Sequence, residues 1–212
     1  VNFLQQIQEY AEQPITTQLL LGLLKEYRRP YDRIDDLEQK GYLVQIRRGL
    51  YVTTHLIHSR GPEPFLIANH LYGPSYVSVD SAMFQWGLIP ERVYEISSTT
   101  TRLSKQFQTK VGSYKYIHLP MPYYSFGIAQ LSLTEKQTVL IASPEKAVCD
   151  KIITTAGIQI RSKKQAISYL VEDLRIEKES LRKLNTREMM QWLPDCPKQE
   201  SIKVLIETVA DL

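Results

Sequence analysis

The chain is predicted to be α+β: an N-terminal winged helix-turn-helix, then a mixed α/β domain with a small antiparallel sheet and a helical C-terminal subdomain. Three observations predict this. The first quarter runs helix, Pro30, helix and strand pair; alternating segments bounded by Gly and Pro fill residues 75–142; and helix starts recur from Ser143 onward.

The segment 16-TTQLLLGLLKEY-27 places Leu19, Leu20, Leu23, Leu24 and Tyr27 at the three-and-four spacing of a buried helical stripe. Pro30 suits the first position of a second helix, Ile34 and Leu37 face the same core, and Gly41 marks its end. Residues 42-YLVQI-46 and 50-LYV-52 alternate as a two-stranded ribbon around the tight turn Arg47-Arg48-Gly49, with Gly49 supplying the left-handed backbone a turn needs. Such a module grips duplex DNA or docks onto another protein. Arg28, Arg29, Tyr31, Arg33, Lys40, Arg47 and Arg48 are the candidate DNA-binding residues, gathered at the helix ends and the ribbon tip, where phosphates are contacted and counterions released. Asp32, Asp35, Asp36 and Gln39 lie on the helix face opposite Ile34 and Leu37, so the surface expected in the major groove is acidic. That face favours protein docking.

Gly61-Pro62 and Pro64 form a hinge, which sets the expected domains at 1–60 and 61–212, the latter divided into 61–142 and 143–212. A short helix follows over 65–73, then an alternating start and a helix within 75–91 that closes at Gly87 and Pro90. Strands are expected at 93–97, 113–119 and 137–142. Ser143, Pro144 and Glu145 open a helix over 143–155 as cap, first residue and dipole partner. Ser162 and Gln165 form a capping box, and further helices are expected around 177–184, from Thr186, and over 199–212.

At 212 residues, 43% hydrophobic and 23% charged, the composition is that of a globular protein. The net charge of +3 is spread thinly: 8 basic against 7 acidic residues in 1–60, 7 against 7 in 61–150, and 11 against 9 beyond. No polybasic tail exists, so local clusters must set any attraction for a polyanion. The longest early apolar run, 19-LLLGLL-24, is too short to span a bilayer, no charged-then-apolar leader opens the chain, and the two cysteines lack metal-ligand spacing. A cytoplasmic protein without membrane contact, metal or cofactor is expected.

Other clusters carry weaker chemistry. The run 97-SSTTTR-102 offers hydroxyls beside an arginine but no glycine-rich loop, so its side chains are expected to satisfy backbone groups. Tyr114, Tyr116, Tyr123, Tyr124 and Phe126 are expected in the core rather than stacked on bases, and His118 has no ligand partner at useful spacing. Glu145 and Asp150 stand five apart, on different faces of a helix, and make no acid/base pair; a nuclease or phosphotransferase using Glu145, Lys146 and Asp150 lacks a converging set.

Taken in order, 41-GYLVQIRRGLYV-52, 68-ANHLYGPSYVSVDSAMFQWGLIPE-91, 99-TTTR-102, 112-GSYKYIHL-119 and 142-ASPEKAVCD-150 resemble the AbiEi family, the antitoxins and transcriptional regulators of type IV toxin-antitoxin systems. The resemblance spans roughly residues 15–155. It implies a non-enzymatic protein whose winged helix binds the promoter DNA of its own operon. It further implies a C-terminal domain that counters an AbiEii-type nucleotidyltransferase toxin, with or without direct contact. Arg47 and Arg48 match the family's basic wing, and Arg28, Arg29 and Arg33 its basic approach to the second helix.

Overall fold

The computed structural model describes residues 3–91 and 93–212. Its first part comprises α1 (Phe3–Gln8), β1 (Ile15–Thr16), α2 (Thr17–Leu23), α3 (Pro30–Gln39), β2 (Leu43–Arg47) and β3 (Leu50–Thr53). The three strands form an antiparallel sheet in the order β1-β3-β2. Thr16 caps α2, its hydroxyl accepting from the Leu19 amide at 3.2 Å, as a threonine in that place does. The helix stops well short of the expected residue 27. Pro30 forces Arg29 out of the helical region (φ −133°, ψ 77°), so 25–29 becomes an exposed connection and Tyr27, 43% exposed, leaves the apolar stripe. α3 begins at Pro30, buries Ile34 and Leu37, and ends before Gly41 at φ +73°.

The ribbon stands between two cores. Leu43 and Tyr51 pack with Phe3, Ile7, Leu20, Leu24, Ile34 and Leu37, whereas Ile46, Leu50 and Val52 belong to the larger core of the rest of the chain. Successive residues of a strand point to opposite faces, so a strand covered on both sides is buried throughout, as β3 is.

The larger core surrounds a six-stranded sheet. After α4 (Pro64–Leu71) come β4 (Ser75–Val77), α5 (Val79–Gln85), β5 (Glu95–Thr100), β6 (Lys105–Thr109), β7 (Gly112–His118), β8 (Ile128–Thr134) and β9 (Gln137–Ala142), ordered β6-β7-β5-β4-β9-β8. The expected small antiparallel sheet is thus corrected: the sheet is larger, and β5 pairs in parallel with β7, as β4 does with β9. The chain leaves β5, forms β6 at the outer position and returns through a tight hairpin as β7 between the two, so β7 must run alongside β5 in the same direction. The strands missed in sequence are the two edges: β6, KQFQT, carries one large apolar residue because an edge needs little burial. Tyr116 reaches the Ala68 carbonyl of α4 at 2.6 Å, while Ser97, on the other face, bonds Ser81 of α5. Helices therefore cover both faces.

α6 (Pro144–Thr154) starts as its sequence dictates, with the Ser143 hydroxyl accepting from the Lys146 amide at 3.2 Å. α7 (Lys163–Ile167), capped by Ser162, continues as a π-helical turn over Ser168–Asp173; α8 (Lys178–Arg182), α9 (Thr186–Trp192) and α10 (Gln199–Ala210) complete the chain. They close the core with Ala166, Leu170, Leu181, Met189 and Leu205. The segment expected to act as a hinge is tied down: Gln137 of β9 accepts from the Glu63 amide at 2.7 Å and donates to the Gly61 carbonyl at 3.2 Å. Among the described residues, no helix is long and apolar enough to cross a membrane.

Candidate functional site

The cations proposed from sequence fall into three groups. Arg28 and Arg48 are exposed, and their side chains make no hydrogen bond or ion pair among the described residues. Arg29, Arg33 and Lys40 are paired along α3: Arg29 with Asp32 at 3.5 Å, and both Arg33 and Lys40 with Asp36, the latter at 2.8 Å. Arg47 is exposed over much of its length, but its guanidinium donates to the Leu71 carbonyl at 2.6 Å. It therefore fastens the ribbon to α4. Tyr31, in the first turn of α3, is 62% exposed, and Tyr27 lies 5.8 Å from the Arg33 guanidinium.

The pairing alters the electrostatics of α3. The hydrogen bond from Lys40, reinforced by Arg33, holds the Asp36 carboxyl below the ordinary aspartate value. Glu38 accepts from the Gln45 amide at 3.4 Å and lies 4.0 Å from Lys110 in the β6–β7 turn. Asp32 is screened by Arg29, leaving Asp35 as the carboxylate of this helix with no cationic partner among the described residues. The Arg29–Asp32 pair is 80% and 68% exposed, and such a pair is worth about 0–1 kcal/mol, so a phosphate can replace Asp32 at little cost. The acidic face read from sequence is mostly neutralised in place.

A second polar cluster lies inside the larger core and was missed as a unit in the sequence. Lys146 and Asp150, one turn apart on α6 and both 0% exposed, are 2.9 Å apart. Asp150 also accepts from Ser78 at 2.7 Å, Tyr123 at 3.0 Å and Tyr76 at 3.1 Å, and Lys146 donates to the Tyr123 carbonyl at 3.1 Å while its ammonium sits 3.2 Å from the centre of that ring. Burial pushes the Lys146 ammonium below the usual lysine value against the attraction of Asp150, and raises the Tyr76 and Tyr123 phenols far above theirs. The four-residue spacing was visible in sequence. Its burial was not, because it depends on three residues supplied from β4, its exit and the turn after β7. With every group paired and sealed from solvent, the cluster stabilises the domain and presents nothing to a substrate.

The remaining sequence candidates are structural. Ser97 bonds the Ser78 carbonyl at 2.7 Å and Thr100 the Pro74 carbonyl at 2.7 Å, while Arg102 lies 4.8 Å over the Tyr72 ring; the hydroxyls of this run line no phosphate cradle. Tyr114, Tyr116, Tyr123 and Tyr124 are in the core. His118 is exposed, with Nδ1 3.1 Å from the Arg102 carbonyl oxygen. Glu145 accepts from the Asn185 amide at 2.9 Å, tying α6 to the start of α9. Among the described residues, no group of three or more His, Cys, Asp or Glu stands ready to hold a metal ion.

No family model matches the chain, and no curated protein does. Among solved structures, it is similar to the RV2827C protein from Mycobacterium tuberculosis, with a TM-score of 0.63 and 15% identity, over 97% of this chain and 75% of that one. At that identity the likeness speaks for the fold alone.

Proposed function

We propose that the chain is a DNA-binding antitoxin and autoregulator of the AbiEi kind: residues 1–60 form a winged helix that contacts promoter DNA, and residues 61–212 counter an AbiEii-type nucleotidyltransferase toxin. In this reading it is a cytoplasmic regulator that performs no reaction of its own and takes no cofactor. The observation that supports the DNA reading is the element order α1-β1-α2-α3-β2-β3 with sheet order β1-β3-β2, the order expected of a winged helix, together with the exposed Arg28 and Arg29 just before α3 and the exposed Arg48 in the ribbon turn. The antitoxin part rests on the ordered resemblance described above.

The test is fluorescence anisotropy on the chain's own upstream duplex over a range of salt. Affinity should fall with salt, and Arg28→Ala, Arg29→Ala and Arg48→Ala should each lower the log–log slope by about 1. Absence of binding at low salt overturns the reading. A second reading, a protein-docking winged helix, is favoured by the unneutralised Asp35 at the centre of the exposed helix face. Co-purification with the neighbouring gene product in the absence of DNA supports it.

A further inference from the structure

We infer that base selection by α3 falls to Tyr31, Asp35 and Gln39, and that the duplex they select carries a cytosine and an adenine about two base pairs apart. The inference rests on the reading of residues 1–60 as a duplex binder and names what that surface recognises. The three residues stand at four-residue intervals, on one face of the helix and away from Ile34 and Leu37. All three are exposed, and their side chains make no hydrogen bond or ion pair among the described residues. Of the other acidic side chains of α3, Asp36 is held by Arg33 and Lys40 and Glu38 by the Gln45 amide, while Asp32 meets Arg29 in an exposed pair at 3.5 Å.

Their chemistry then fixes what each can read. A carboxylate without a cation is repelled by the phosphate backbone and is tolerated in the major groove where cytosine N4 donates to it, which assigns Asp35. The Gln39 carboxamide matches the N6 donor and N7 acceptor of adenine, and the Tyr31 ring offers an apolar surface to a thymine methyl. Four residues of helix advance about 6 Å, close to two base-pair steps of about 3.4 Å, which sets the spacing between the bases read. Arg28 and Arg29, directly before the first turn of α3, supply phosphate contacts that hold its register, with the exposed Arg48 of the ribbon turn as a further cation.

The experiment is selection from a randomised duplex library with the full chain and its Asp35→Ala, Gln39→Ala and Asp36→Ala variants, each checked for unchanged circular dichroism. The wild type should enrich a short motif. Asp35→Ala should bind random duplex more tightly yet lose roughly tenfold or more of the preference for cytosine at one position, and Gln39→Ala should lose a similar preference for adenine about two positions away. Asp36→Ala, whose carboxylate serves Arg33 and Lys40, should leave every base preference intact. Duplex binding with no enriched motif, or a motif unchanged in Asp35→Ala and Gln39→Ala, overturns this assignment while leaving DNA binding standing. Absence of any retained duplex at about 50 mM salt overturns both.

Discussion

Replacing Asp150 with alanine removes the acceptor on which four buried donors converge: the Lys146 ammonium at 2.9 Å and the hydroxyls of Ser78, Tyr123 and Tyr76 at 2.7, 3.0 and 3.1 Å. Deleting one member of a buried ion pair costs about 3–5 kcal/mol, because the other charge is stranded out of water. Each orphaned hydroxyl adds roughly 1 kcal/mol, part of which is recovered if the side chains re-pair in the space vacated. The expected loss is about 5 kcal/mol, a fall in melting temperature of roughly 10–20 °C for a chain of this size. Urea denaturation and calorimetry measure it. The pH dependence supplies an independent sign. Without Asp150, desolvation of Lys146 is unopposed, so its native pKa drops further below the unfolded value and the native state binds fewer protons than the unfolded chain. The variant's deficit should therefore be greatest at low and neutral pH and shrink as pH rises toward the ordinary lysine value of about 10.4. In the double variant Lys146→Met, Asp150→Leu, no charge is stranded, and it should be more stable than Asp150→Ala alone. A loss for Asp150→Ala under about 1 kcal/mol would refute the claim that these donors depend on the carboxylate.

Arg47→Ala and Arg48→Ala should separate two roles within one turn. Loss of the Arg47 bond to the Leu71 carbonyl should cost about 1–3 kcal/mol in urea denaturation, whereas Arg48→Ala should leave stability within about 0.5 kcal/mol and act on the salt dependence of DNA binding. Gly127 has φ +58°, and a Cβ there would come within 2.7 Å of Lys146 Cβ and 2.8 Å of Trp192 Cη2; Gly127→Ala should destabilise by about 2–3 kcal/mol by thermal melting. Burial raises the Cys149 thiol well above its usual value and pushes Cys196 up to about 12, so neither should react with a thiol reagent at neutral pH until the chain is unfolded. Rapid labelling of the native protein, followed by mass spectrometry, contradicts that burial.

Local chemistry was legible in the residues themselves. Pro30 opening α3, Gly41 and Gly49 at positive φ, Ser143 capping α6 and Ser162 capping α7 each act over four residues or fewer, so the chain needs no tertiary partner to express them. Elements that exist through pairing were not legible. β1 is two residues long and is a strand because β3 lies beside it, β6 has too little apolar content to announce itself, and α1 spans six residues, too few for a helical period to show.

The candidate site divides along the same line. Sequence alone supplied the cations around α3 and the acidic residues among them, since composition and helical spacing need no coordinates. Which were spent on one another was decided by side-chain geometry: Arg33 and Lys40 close on Asp36, Arg47 closes on Leu71, and Arg28, Arg48, Asp35 and Gln39 are left facing water. The parallel pairing of β5 with β7 and the burial of Lys146 with Asp150 were decided likewise by the tertiary structure, because each depends on partners 18 to 74 residues away along the chain. Periodicity records which face a residue takes; what waits on that face is set by the packing of distant segments.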